Sequence, residues 1–172
     1  MTSIAQEFLT ATTAEFQRYR DLAEKSFAQL DDPDFFLQPD PESNSIAMIV
    51  QHLGGNLKSR WTDFLTTDGE KPTRERDAEF EVQTRTRAEL LAVWNEGFTC
   101  LFGTLRQLKP EDLLKTVTIR GQPHTVIRAL QRALTHVGYH VGQIVYLAKS
   151  IKREGFKSLS IPRGQSKGSR AY

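Results

Sequence analysis

The chain has 172 residues, 38% of them hydrophobic and 26% charged, a composition that suits one globular domain with its own core and excludes a disordered polymer. Its formal net charge of +2 is too small for a global pull toward nucleic acid or anionic membrane. The single cysteine excludes an intrachain disulfide, no apolar run approaches the ~18 residues of a membrane span, and the N-terminus lacks the stretches of a signal peptide, so a cytoplasmic location with no membrane partner is expected.

Residues 3–30 read as the first helix, with Phe8, Phe16, Tyr19, Ala23, Phe27 and Leu30 on one stripe and Thr12 filling the gap between the first two. Asp31-Asp32-Pro33-Asp34 ends it, because proline disfavours helical backbone at the residue before it. A proline-rich loop follows, with Phe35-Phe36-Leu37 expected to tuck back onto the core, and Ser43 to Ser45 offer a cap for the next helix. That second helix covers residues 45–65, its apolar set running from Ile46 and Ile49 through Leu53, Leu57 and Trp61 to Phe64 and Leu65. Residues 66–83, charged and containing Gly69 and Pro72, read as a long exposed connection.

The third helix covers residues 86–108, where Thr86 and Glu89 have the spacing of a capping box and Leu90, Trp94, Phe98, Leu101 and Leu105 share a face. Cys100, in this apolar context, reads as a buried, inert thiol. Lys109-Pro110 stops the helix, and the alternation from Thr116 to Gly121 followed by Gln122-Pro123 predicts a short extended piece or hairpin. The fourth helix covers residues 125–152, with Gly155 as its C-cap. Four amphipathic helices must bury four apolar stripes, so the expected fold class is all-α, a four-helix bundle over residues 1–154; its long connections admit a crossover. From Lys152 to Tyr172 six basic residues, Arg170 among them, face one acid, which makes residues 155–172 a basic tail on a net-negative body. A solvated tail is the favoured reading, and contact with phosphates or an acidic partner the other.

Of four histidines, His136 and His140 stand four residues apart, one turn along one helix face and beside its apolar arc. Two imidazoles so placed can chelate one ion without moving the backbone. His52, in the middle of the second helix, also borders an apolar face. If the second and fourth helices are neighbours, three imidazoles converge and leave coordination positions open, the arrangement of catalytic zinc sites. Surface or structural histidines are the competing reading. His124, just before the fourth helix, has a loop or rim role. Gly138 and Gly142, and Gly54-Gly55 beside His52, each cost about 1 kcal/mol against alanine inside a helix. A close helix approach, with a symmetric dimer formed through such a face, would account for them, as would local flexibility.

The segments Ser45-Ile-Ala-Met-Ile-Val-Gln-His52-Leu-Gly-Gly-Asn56, Val117 to His124, His136-Val-Gly-Tyr-His140-Val-Gly-Gln-Ile144 and Leu159 to Gln165 together resemble the DinB/YfiT-like superfamily of metal-dependent bacterial proteins, in its branch of small uncharacterised members. The resemblance implies an up-down-down-up four-helix bundle, usually dimeric, with a metal held by one histidine of the second helix and an H-x-x-x-H pair of the last. By position those ligands are His52, His136 and His140. Characterised relatives include transferases and isomerases that use low-molecular-weight thiols such as bacillithiol or mycothiol, whose thiolate a metal ion would favour.

The function expected on this basis is a metal-dependent transferase or hydrolase acting on a small electrophilic substrate, working as a homodimer. One divalent ion per chain is implied, zinc or nickel foremost and iron or manganese as alternatives, with a low-molecular-weight thiol as co-substrate. Arg132, one turn before His136, is a candidate clamp for a substrate carboxylate or else a surface salt bridge; Asn56 and Gln143 are candidates to orient a ligand or a water beside the metal. Two rivals stand beside it. One is a non-catalytic metal-binding stress-response dimer. The other is a nucleic-acid binder acting through the basic tail, which the negative body disfavours.

Overall fold

The computed structural model describes residues 2–81, 84–165 and 167; Met1, Val82 and Gln83 of the long connection, and Ser166 and residues 168–172 of the tail, Arg170 included, lie outside the described residues. Helices α1 (Ile4–Phe27), α2 (Asp32–Phe36), α3 (Ile46–Trp61), α4 (Arg87–Gln107) and α5 (Val126–Lys152) alternate with loops, and strands β1 (Thr116–Ile119) and β2 (Gln122–Thr125) precede α5. The protein is thus mostly helical, as expected, with a small sheet in addition.

Each long helix starts where a hydroxyl accepts from an otherwise unpaired amide: Ser3 from Gln6, Ser45 from Met48, Thr86 from Glu89 and Thr125 from Arg128. Glu89 answers the Thr86 amide, completing the capping box read from the sequence. Helix ends fit the expectation less well. Helix α1 ends at Phe27, short of the expected residue 30 and ahead of Pro33, which instead sits in the first turn of α2, where a missing N–H leaves nothing unpaired. The residues expected as loop therefore form a short helix that drives Phe35 into the core against Phe27, while Leu37 stays half exposed. Helix α3 ends at Trp61 and not at residue 65, because Asp63 takes a left-handed backbone, φ 48°. The turn still buries Phe64. At the end of α5 the C-cap is Arg153, φ 50°, and Gly155 falls in the next turn.

Helix α3 packs along α4, and α1 along α5; α5 also touches α3, and α1 touches α4, so the long helices surround one core. Phe16, Trp61, Trp94, Phe98 and Leu101 fill its middle. The closest approach falls where α3 crosses α4. A Cβ on Gly54 would stand 2.7 Å from the Val93 carbonyl oxygen, and one on Gly97 2.7 Å from the Gly54 carbonyl oxygen. The glycines expected to mark such contact on α5 differ: Gly138 lies under the Tyr19 ring, whereas Gly142 faces open space.

The hairpin expected from the sequence is present, with Val117 opposite His124 and Ile119 opposite Gln122. Arg120 and Gly121 turn it with positive φ angles of 53° and 72°, the pattern of a tight two-residue turn. The Asp68 carboxylate accepts from both turn amides, and Gly69 donates to Thr118. This ties the hairpin to the 66–83 connection, most of whose described residues are exposed as expected, although Gly69 and Glu79 are buried. Its residues Asp77–Phe80 form a 3-10 turn packed on α3, and Glu79 is buried. Its charges pair with one another, Arg74 with Glu70 and Glu79, and this allows a charge-rich segment to pack. No helix among the described residues is long and apolar enough to cross a membrane.

Glycine substitutions separate the two kinds of site. Gly97→Ala is expected to lose about 1–2 kcal/mol in urea unfolding, overpacking against backbone outweighing the gain in helix propensity. Gly142→Ala, with nothing to strike, is expected to gain about 0.5–1 kcal/mol. Equal effects would show that the α3–α4 contact is looser than described.

Candidate metal centre

His52 projects from the middle of α3 and His136 and His140 from successive turns of α5, so the packing of α3 on α5 brings the three rings together. One ring nitrogen from each lies within 4.8 Å of the others. His52 Nε2 and His136 Nε2 are 3.1 Å apart. Two imidazoles bound to one ion at about 2.1 Å, at angles from 90° to tetrahedral, stand about 3.0–3.4 Å apart. The observed spacing falls in that range.

The outer nitrogens explain the orientation of the rings. Glu79 Oε2 accepts from His52 Nδ1 at 2.9 Å, and Gln143 Oε1 accepts from His140 Nδ1 at 2.8 Å. Each bond puts the ring proton on Nδ1 and aims the Nε2 lone pair at the centre, as a supporting shell does in histidine metal sites. Glu79 is held in turn by a two-pronged contact from Arg74, at 2.7 and 2.8 Å. The carboxylate reaches His52 because residue 55 is glycine: a Cβ there would collide with Glu79 Oε1. Phe80 lies over the His52 ring at 4.6 Å, and Tyr139 stands edge-on to His140.

Burial sets the charge state. His136 is pushed down to about 3 by burial first, then by the neighbouring histidines and by Arg60 and Arg74. His140 is pushed down to about 4 by burial, against the opposing bond to Gln143. Both rings are neutral at physiological pH. Burial alone would raise the Glu79 carboxyl, but the bonds from His52 and Arg74 outweigh it and hold the group ionised.

In front of the rings opens a pocket of about 360 Å³, lined by Asn56 and Arg132 among others. A larger cavity of about 660 Å³ lies beyond Arg74 and Glu79, and no histidine lines it. The chemistry belongs to the smaller pocket, where the nitrogen lone pairs converge. Of the residues singled out from the sequence, Asn56 and Arg132 line it, while Gln143 stands behind His140 and not at the pocket wall. His124 is apart, its Nδ1 donating to the Gln122 carbonyl oxygen, in keeping with a loop role. Cys100 is half-buried, not buried, with Sγ 3.4 Å from Thr62 Oγ1 at a different cavity.

Glu79, Arg74, Phe80 and Tyr139 were not found from the sequence. One signal for Glu79 existed: Gly55 beside His52, a costly residue in mid-helix that makes room for a group from elsewhere.

A family model described as "Protein of unknown function (DUF1572)" matches residues 3–165. No curated protein and no solved structure matches the chain.

The depressed histidines make stability depend on pH in a defined window. Below about pH 6.5 the unfolded chain protonates these rings, while the folded rings resist until about 4 and 3, so acid favours unfolding across that interval. The urea midpoint of protein treated with chelator is expected to fall from pH 6.5 to pH 4, and His136→Gln to flatten the fall. An unchanged pH slope in that variant would contradict the burial of this ring.

Proposed function

The chain belongs to the family described as protein of unknown function (DUF1572), and from its site we propose that it is a metal-dependent enzyme in which His52, His136 and His140 hold one divalent ion. The observation that carries this reading is the pair of bonds from His52 Nδ1 to Glu79 and from His140 Nδ1 to Gln143, which hold the outer nitrogens while His52 Nε2 lies 3.1 Å from His136 Nε2. The four long helices around one core support reading the fold as a DinB/YfiT-like up-down-down-up four-helix bundle, which makes this family a branch of that superfamily. An all-imidazole donor set suits zinc or nickel, with iron or manganese as alternatives.

The reaction that fits is transfer of a small electrophile to a low-molecular-weight thiol, or its hydrolysis. When bound, the ion supplies the Lewis acidity that ionises a thiol or water near neutrality. Glu79 and Gln143 keep the proton of each supported ring on the outer nitrogen. Phe80 and the exposed Tyr139 flank the rings of His52 and His140. Asn56, on the pocket wall, offers an amide to orient the incoming molecule. The single thiol of the chain, Cys100, opens on another cavity, so the nucleophile comes from the co-substrate.

Elemental analysis of protein purified without an affinity tag tests the ligand set. One equivalent of metal per chain is expected, lost in His52→Ala and in His136→Ala; absence from the unaltered protein sinks the proposal. Glu79→Gln is expected to fold and to bind the metal about 10–100-fold more weakly. Paired thiols and electrophiles should then be consumed by the unaltered protein and not by His136→Ala. Full metal content with no turnover of any pair would favour the non-catalytic metal-binding reading.

A further inference from the structure

Five arginines, Arg60, Arg74, Arg76, Arg120 and Arg132, line the pocket in front of the histidines. Carboxylates answer only part of that charge. Arg74 is paired with Glu79 and Glu70, Arg120 with Glu70, and Arg76 with Asp77 at 3.5 Å. Arg60 is different. Its side chain is 9% exposed, and its nearest carboxylate oxygen, Glu70 Oε2, stands 3.9 Å from Nη2, beyond hydrogen-bond reach. Its one hydrogen bond among the described residues goes from Nε to the Gly69 carbonyl oxygen.

Arg132 makes no hydrogen bond or ion pair among the described residues, and its own helix cannot supply one. Helix α5 contains no Asp or Glu, and the residues three and four positions away are Arg128, Ala129, Thr135 and His136. Arg60 and Arg132 also crowd each other. Burial first and then Arg132 pull the Arg60 guanidinium down to about 10, against the opposing Glu70. A buried guanidinium without a matched carboxylate is costly unless something else neutralises it. Here one such group, Arg60, shares a pocket with the exposed and unpaired Arg132, beside the histidine rings.

We infer that the small molecule bound at this centre carries an oxyanion, a carboxylate or a phosphate, and that Arg60 and Arg132 are the residues that hold it. Guanidinium forks match either oxyanion in two-pronged fashion, and the shared pocket places the anion beside the histidine lone pairs. The remaining arginines are already occupied by Glu70, Glu79 and Asp77, so they contribute field and not the primary contact. The inference rests on the metalloenzyme reading for what the ligand is for, but its binding is measured without the metal.

Calorimetric titration of chelator-treated protein with inorganic phosphate, with succinate and with the uncharged dimethyl ester of succinate tests it. One anion site per chain is expected, weakening as salt rises, with the ester not bound; whichever anion binds more tightly identifies the oxyanion. Arg132→Gln, an exposed change that breaks no contact, is expected to weaken binding about tenfold or more, and Arg132→Lys to restore part of it. Anions that bind no better than the ester overturn the inference, as does an Arg132→Gln protein that binds like the unaltered one. A chain that binds the anion yet purifies without metal would sink the metal proposal and leave this subsite standing.

Discussion

A single buried carboxylate joins the fold of this protein to its site. Glu79 comes from a connection between helices, yet it lies in the interior, accepting from His52 on one side and from Arg74 on the other. A carboxylate taken out of water persists as an ion only when its oxygens are satisfied. Here both are. The same bonds that make its burial tolerable fix the His52 tautomer and hold the connection down on α3. Removing the carboxylate would therefore loosen a ring and a segment together.

The helices supply the other half of the geometry. Gly54 and Gly97 let the α3 and α4 backbones touch, and Gly55, one residue on, clears the space through which Glu79 reaches His52. Two adjacent glycines thus do separate jobs: one seats a helix, the other admits a side chain. On α5 the pair four residues apart presents both rings to α3 without any backbone adjustment. The hairpin contributes at a distance. Its turn amides bind Asp68, which anchors the start of the connection that ends in Glu79.

What was legible in the sequence was what is local. Ser45 and Thr86 cap helices because a hydroxyl needs only an amide two or three residues on. The His136–His140 pair is a one-turn spacing; Gln143 was expected to orient a ligand or a water, and its bond to His140, three residues away, was not foreseen. The convergence of His52 was legible only as far as apolar stripes imply that α3 and α5 are neighbours. The 66–83 connection was legible as largely exposed, but the burial of Glu79 within it was not, because a run of charges looks solvated unless its partners are known. Glu79 finds His52 across 27 positions, and no periodicity records that pairing. Helix ends were misjudged for a related reason. Asp63 takes left-handed backbone without being glycine, so α3 stops short of residue 65, whereas α5 ends at Lys152 as expected but with Arg153 and not Gly155 as its cap. Cys100 was misjudged because its apolar neighbours gave no hint of the cavity opening beside Thr62.

The central claim is that three imidazoles close around a common ion. X-ray absorption at the edge of the metal that copurifies with the protein tests this most directly. The account predicts a nitrogen and oxygen coordination shell at about 2.0–2.2 Å, with the outer-shell scattering of three imidazole rings and no sulfur contribution in the absence of added thiol. A shell with sulfur from Cys100, or with fewer than three imidazoles, would contradict it.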